Sequence, residues 1–193
     1  MAATTKEFPV VPFDTAQTFE QWLHEHHEQI DGVWIKLAKK ASGIPSVTHD
    51  EALEVALCFG WIDGQRNGLD GEYFLQKFTR RRSKSLWSKR NIEKVTRLTE
   101  EGKMQVRGQA EIEAAKADGR WEAAYDSPQN MVTPQDFLDA LAENESAREF
   151  YESLNKTNTY AIAWRLETAK TPATRQRRFD KLLGMMERGE KIY

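Results

Sequence analysis

The residues best equipped for chemistry lie in two adjoining stretches. Trp61 and Asp63 belong to GWIDG (60–64); Arg81, Arg82, Ser85, Trp87, Ser88 and Asn91 belong to FTRRRSKSLWSKRN (78–91). Guanidinium groups hold carboxylates or phosphates through paired hydrogen bonds. Ser85 is placed to cap a helix, with Ser88 three residues on. A helix N-terminus attracts anions through its free N–H groups and its dipole. Together these residues read as an anion-binding surface. Asp63 fits two other roles. It can neutralise one of the arginines in an ordinary ion pair. It can also serve as a base beside Arg81 and helix N–H donors, which would make the protein an enzyme.

The charge pattern sharpens this. Residues 75–97 carry nine Lys and Arg against Glu93 alone, a local +8 in a chain of net charge −2, so the remainder sums to −10. Such a segment favours an anionic partner. Phe78 and Trp87 interleave with the cations, as in surfaces where bases stack and phosphates pair, so nucleic acid is the alternative partner. The same pattern also fits Trp87 as a core anchor beneath a solvated charged face.

Other chemistries find less support. His24, His26 and His27 form H-x-H-H on one helix, but zinc needs about four convergent ligands, and neither HExxH nor a Cys pair occurs. These read as solvated helix histidines, and no metal site is expected. Cys58 is the single cysteine. It sits in an apolar helical run and reads as a buried, inert thiol rather than a nucleophile partnered by His49. Ser-His-Asp groupings, P-loops and GxGxxG are absent, and GLDG (68–71) is turn chemistry. No catalytic residue and no cofactor are expected.

The elements that must position these residues give an α+β, mostly helical chain. Phe19, Trp22, Leu23 and His26 space a first helix over about 15–29. VWIKLAKK (33–40) alternates as a strand. Thr48 and Glu51 form a capping box that opens a helix running to about Phe59, with Gly60 as its stop. WIDGQRN and EYFLQKFT flank GLDG as a hairpin. The result is a small antiparallel sheet of about three strands with packed helices. Helices follow from Ser85 to Glu101 and over about 105–118. DSPQNMVTP (126–134) reads as a linker, dividing a 1–125 domain from a helical 126–193 region. There Thr133-Pro134 and Thr171-Pro172 each place a cap before proline at the first helical position.

With 39% hydrophobic and 30% charged residues in 193, the chain can build one sizeable core or two small ones. No run approaches the roughly 20 apolar residues of a membrane span. The N-terminus lacks the pattern of a secretory signal, and a lone cysteine suits a reducing compartment. A cytoplasmic protein is the expectation.

The order of LEVALCFGWIDG, the 78–91 run, EEGKMQVRGQAEIEAAKADGRW, PQDFLDALAEN, AREFYESL and AKTPATRQRRFDKLL resembles the YdeI/OmpD-associated, or bacteriocin-protection, family over about 15–188. That family's central pattern, roughly F-T-P-R-x-x-x-S-x-W-S-x-x-N, falls on Phe78, Thr79, Arg81, Ser85, Trp87, Ser88 and Asn91. Arg80 stands where the proline would be. Its presence is expected to relax the turn before the helix, and it adds one cation. The resemblance implies a bacterial setting of envelope stress and antimicrobial-peptide tolerance. It also implies an association, taken here as indirect, with an outer-membrane porin. It supplies no catalytic residues. The expected function is non-enzymatic binding of an anionic small molecule or an acidic protein segment.

Overall fold

The structure, a computed structural model, describes residues 8–127 and 130–193. The chain divides into two compact units. One runs up to Trp87 and includes Asn91–Ala123; the other combines Ser88–Arg90 with Ala124–Tyr193.

The first unit is built on a sheet of β1 (Val10–Pro12), β2 (Gly32–Ala38), β3 (Trp61–Gly68) and β4 (Tyr73–Arg80), in the order β1-β2-β4-β3. The β3–β4 hairpin turns where expected, because Asp70 Oδ1 accepts the N–H groups of Glu72 and Tyr73 at 2.8 and 2.7 Å. The sheet is mixed rather than antiparallel, and has four strands rather than three. The short β1 lies parallel to β2. Its three residues, next to proline on one side, carry too little alternation to register as a strand. Only pairing with Trp34–Lys36, far along the chain, creates it.

One face of the sheet is buried. Val33, Ile35, Leu37, Trp61, Phe74 and Phe78 meet α1 (Ala16–His26) and α2 (His49–Cys58), with the Phe19 and Phe78 rings 5.7 Å apart. Each such side chain contributes about 1.5–3 kcal/mol on burial. The other face keeps Trp34, Lys36, Tyr73, Leu75 and Lys77 half-buried. There Lys36 Nζ sits 3.8 Å from the Tyr73 ring centre. Gln76 is the polar exception inside. Its side-chain amide donates to the Gly64 and Gln65 carbonyls at 3.0 and 3.3 Å, where the β3–β4 register slips between Asp63 and Arg66.

Thr48 and Glu51 form the predicted capping box of α2, and a second box at Thr15 and Thr18 opens α1. Two further helices follow, α3 (Lys89–Glu100) and α4 (Val106–Ala117).

The second unit is helical: α5 (Gln135–Ala142), α6 (Glu145–Glu152), α7 (Lys156–Glu167) and α8 (Pro172–Glu187). Phe137, Leu141, Ala147, Ile162, Leu166, Leu182 and Met186 form its core. Thr171 caps α8 ahead of Pro172, as read from the sequence. Thr133 does not cap α5. Its hydroxyl pairs with the Tyr151 hydroxyl at 2.6 Å, and Pro134 takes the cap position. Of the expected linker, Pro128 and Gln129 lie outside the described residues. Among the described residues no helix is long and apolar enough to cross a membrane.

Candidate functional site

GWIDG sits at the junction of α2 and β3. Gly60 ends the helix with φ of +70°, where a side chain would be strained. Its carbonyl accepts the Arg81 N–H at 2.9 Å, locking the start of β3 to the end of β4. Trp61 is fully buried. Asp63 pairs with His49, Oδ2 to Nε2 at 3.1 Å, and not with an arginine. The ion-pair role expected of Asp63 beside an arginine is thus taken up by His49. The β3 strand turns the carboxylate toward the first turn of α2, where the His49 ring lies 6.2 Å from that of Phe78. Asp63 and Arg81 thus each have a partner of their own, His49 for the carboxylate and the Trp87 ring for the guanidinium.

The 81–87 segment is an ordered loop, not the start of a helix. The Arg81 guanidinium carbon lies 3.8 Å from the centre of the Trp87 ring, and Nη2 donates to the Leu86 carbonyl at 2.8 Å. Both side chains are buried, Arg81 to 5% and Trp87 to 2% exposure. Trp87 also packs on Trp121, with ring centres 5.4 Å apart. Ser85 caps no helix. Its hydroxyl accepts the Arg82 N–H at 3.1 Å, and its own N–H returns to the Arg82 carbonyl at 2.8 Å. Arg120 Nη1 donates to the Ser85 carbonyl at 3.0 Å. Two guanidinium groups thus take the carbonyls that a helix beginning at Ser85 would need. The helix starts instead at Lys89. Asn91 is largely buried within it. Ser88 belongs to the second unit, bridged by backbone to Tyr125.

Arg80 does the opposite of relaxing the turn. Its N–H donates to the Asp31 carbonyl at 3.2 Å. Nε reaches the Ile30 carbonyl at 2.9 Å and Nη2 the Glu28 carbonyl at 2.7 Å. The end of β4 is stitched to the segment between α1 and β2 through the backbone donor that a proline lacks.

Much of the basic run is compensated. Lys94 pairs with Asp50 and Glu54, and Arg97 with Glu54 and Glu101. Burial alone would raise the Glu54 carboxyl, but hydrogen bonds from Lys94 and Arg97 hold it below the usual range. Lys89 pairs with Asp126, and Arg80 with Asp31 at 3.7 Å. Arg82 and Lys84 are exposed on the 81–87 loop and have no ion-pair partner among the described residues. Lys77, on β4, likewise has no ion pair among the described residues and lies over the Trp34 ring instead, so the exposed charge that the 81–87 loop itself presents is that of Arg82 and Lys84.

Of the three histidines at the end of α1, His24 is exposed, and His26 and His27 fold back on their own helix. His26 and His27 Nδ1 each lie 2.8 Å from a carbonyl one turn earlier, and His24 meets the Phe59 ring edge-on. Among the described residues no three His, Cys, Asp or Glu side chains converge as metal ligands. Cys58 is buried, and desolvation pushes its thiol up to about 12. Ellman's reagent is expected to label it only after denaturation. The unfolded thiol releases its proton near 9 and the folded one near 12, so the folded state holds the proton longer. Stability should fall with rising pH across that window, with a slope that Cys58→Ala reduces. Rapid native labelling at pH 8 would refute this burial.

The chain belongs to the family described as a domain of unknown function, DUF8412, whose model matches residues 11–111, just over half the chain. Residues 130–189 match a second family model, described as bacteriocin-protection, YdeI or OmpD-associated. The resemblance read over about 15–188 thus holds for the helical second unit, while GWIDG and the 78–91 run fall within the first family's domain. Neither a curated protein nor a solved structure matches the chain.

Proposed function

We propose that the protein is a binding protein whose 81–87 loop holds an anionic small molecule or an acidic protein segment. Arg82 and Lys84 make the contact. Arg81, Ser85 and Trp87 hold the loop in shape, and Trp61 and Asn91 anchor the elements on either side of it. The observation that carries this reading is the contrast between the loop's base and its tip. Its base is fixed by a buried guanidinium–indole stack and a hydroxyl-closed turn. Its tip carries two exposed cations without internal counter-charges. A loop already ordered loses little entropy on binding, so its charges are available at low cost. Asp63, paired with His49, and Ser88 stand outside the contact in this reading. The OmpD-associated match suggests an envelope-stress setting in the cell for such a partner.

Calorimetric titration at low salt with a Glu-rich peptide and with inorganic pyrophosphate tests the proposal. The Arg82→Ala/Lys84→Ala double variant is expected to bind at least about tenfold more weakly at unchanged melting temperature. Equal binding by the double variant, or none by the parent chain, would sink it. Tight binding of a single-stranded oligonucleotide, falling steeply with salt, with neither anion bound, would replace it by nucleic-acid recognition.

A further inference from the structure

A cavity of about 410 Å³ opens in the second unit between α7, α8 and residue 192. Its size falls in the range of small-molecule sites, about 300–1,000 Å³. Trp164, Leu182, Met185 and Ile192 give it an apolar body. The ionisable groups on its wall are Arg165, Arg178 and Lys181, all cationic; no carboxylate lines it.

The cations are not there by loose chance of surface composition. Arg178 Nη1 donates to the Arg165 carbonyl at 2.7 Å, which satisfies an orphan acceptor in the last turn of α7 and fixes the guanidinium at the cavity wall. Arg165 donates one N–H to the Ala161 carbonyl at 3.2 Å. A guanidinium has five donors, so each retains donors for a ligand. Of the acids near these positions, Asp136 is forked by Arg175 and Glu190 pairs with Arg188, while Asp180 accepts only from the neutral Gln176 amide; none of the three lines the cavity. The wall formed by residue 192 is held in place as well. Asn158, 1% exposed, accepts the N–H groups of Ile192 and Tyr193 through one oxygen at 2.9 and 3.1 Å.

Three like charges around an apolar hollow repel one another, and an anion placed among them relieves that repulsion. An inorganic ion would satisfy the charges and leave the apolar body wet. A neutral hydrocarbon would do the reverse. We infer that this cavity is a site for a small amphipathic carboxylate, its aromatic or short alkyl body against Trp164, Leu182 and Met185 and its carboxylate among Arg165, Arg178 and Lys181. The site lies within the second unit and does not depend on the 81–87 loop.

The test is calorimetric titration of the full chain with 1-naphthoate and with the neutral 1-naphthalenemethanol, at low and at moderate salt. The carboxylate is expected to bind at least about tenfold more tightly than the alcohol, because charge-assisted hydrogen bonds form only with the anion. Lys181 is exposed, so Lys181→Glu should fold normally and weaken the carboxylate by about tenfold or more. Lys181→Gln should weaken it less, and neither variant should change the alcohol. The Arg82→Ala/Lys84→Ala variant should bind 1-naphthoate as the parent does. No binding of 1-naphthoate at millimolar concentration would overturn the inference. So would equal affinity for the two ligands, or unchanged affinity in Lys181→Glu.

Discussion

Gly108→Ala is expected to destabilise the protein by about 3 kcal/mol or more, although it replaces glycine with the best helix former. Gly108 lies within α4 and is buried. By intrinsic propensity alone, alanine there should gain about 1 kcal/mol. A Cβ at this position, however, would lie 2.1 Å from the carbonyl oxygen of Cys58 and 2.8 Å from its carbon. Those atoms are backbone at the end of α2 and cannot rotate away. The same carbonyl accepts the Gln105 N–H at 3.1 Å, so retreat of α2 would also break the bond that joins the two elements. Gly60 extends the close approach, since a Cβ there would stand 3.2 Å from the Arg107 carbonyl. Overpacking costs typically about 1–3 kcal/mol, and an unyielding backbone contact belongs at or above the top of that range. Urea denaturation followed by circular dichroism gives the sign directly. A variant as stable as the parent, or more so, would mean that α4 does not sit this close to α2.

Gly108 also marks the limit of what the sequence discloses. In EEGKMQVRGQAEIEAAKA it reads as a mild interruption of a helix. What makes it necessary is the end of another helix 50 residues earlier. Local devices are legible. Thr48 with Glu51, Thr171 with Pro172 and Asp70 in GLDG act on neighbours within a few residues, and each stands in the structure as its spacing implies. Non-local competition is not legible. Ser85 has the right residue type and position for a cap, but Arg81, Arg120 and Trp87 claim the surrounding carbonyls and ring face first. The basic run misleads for the same reason. Glu54 and Asp50, which neutralise Lys94, lie 40 and 44 residues away. The sequence singles out the basic segment, yet it cannot separate cations that hold the loop from cations that face solvent. That division follows from packing of the Trp87 ring.

Trp87→Ala should then cost about 3–5 kcal/mol, as buried Trp and Phe truncations do. The indole is 2% exposed between the Arg81 guanidinium and the Trp121 ring. Its removal leaves a cavity and strips a buried cation of the aromatic face that stabilises it. A desolvated cation–π contact is itself worth about 2 kcal/mol. Trp87→Phe separates the two losses. The indole N–H makes no hydrogen bond among the described residues, so phenylalanine sacrifices volume but keeps an aromatic face, and should cost well under half as much as alanine. Arg81→Met removes the charge while keeping much of the stem's packing. In a double-mutant cycle with Trp87→Ala, the coupling should be about 1–2 kcal/mol. A coupling near zero would make the stack a bystander of packing. A coupling of the expected size makes Arg81 a positioning residue, one that holds the loop in shape through the Trp87 ring.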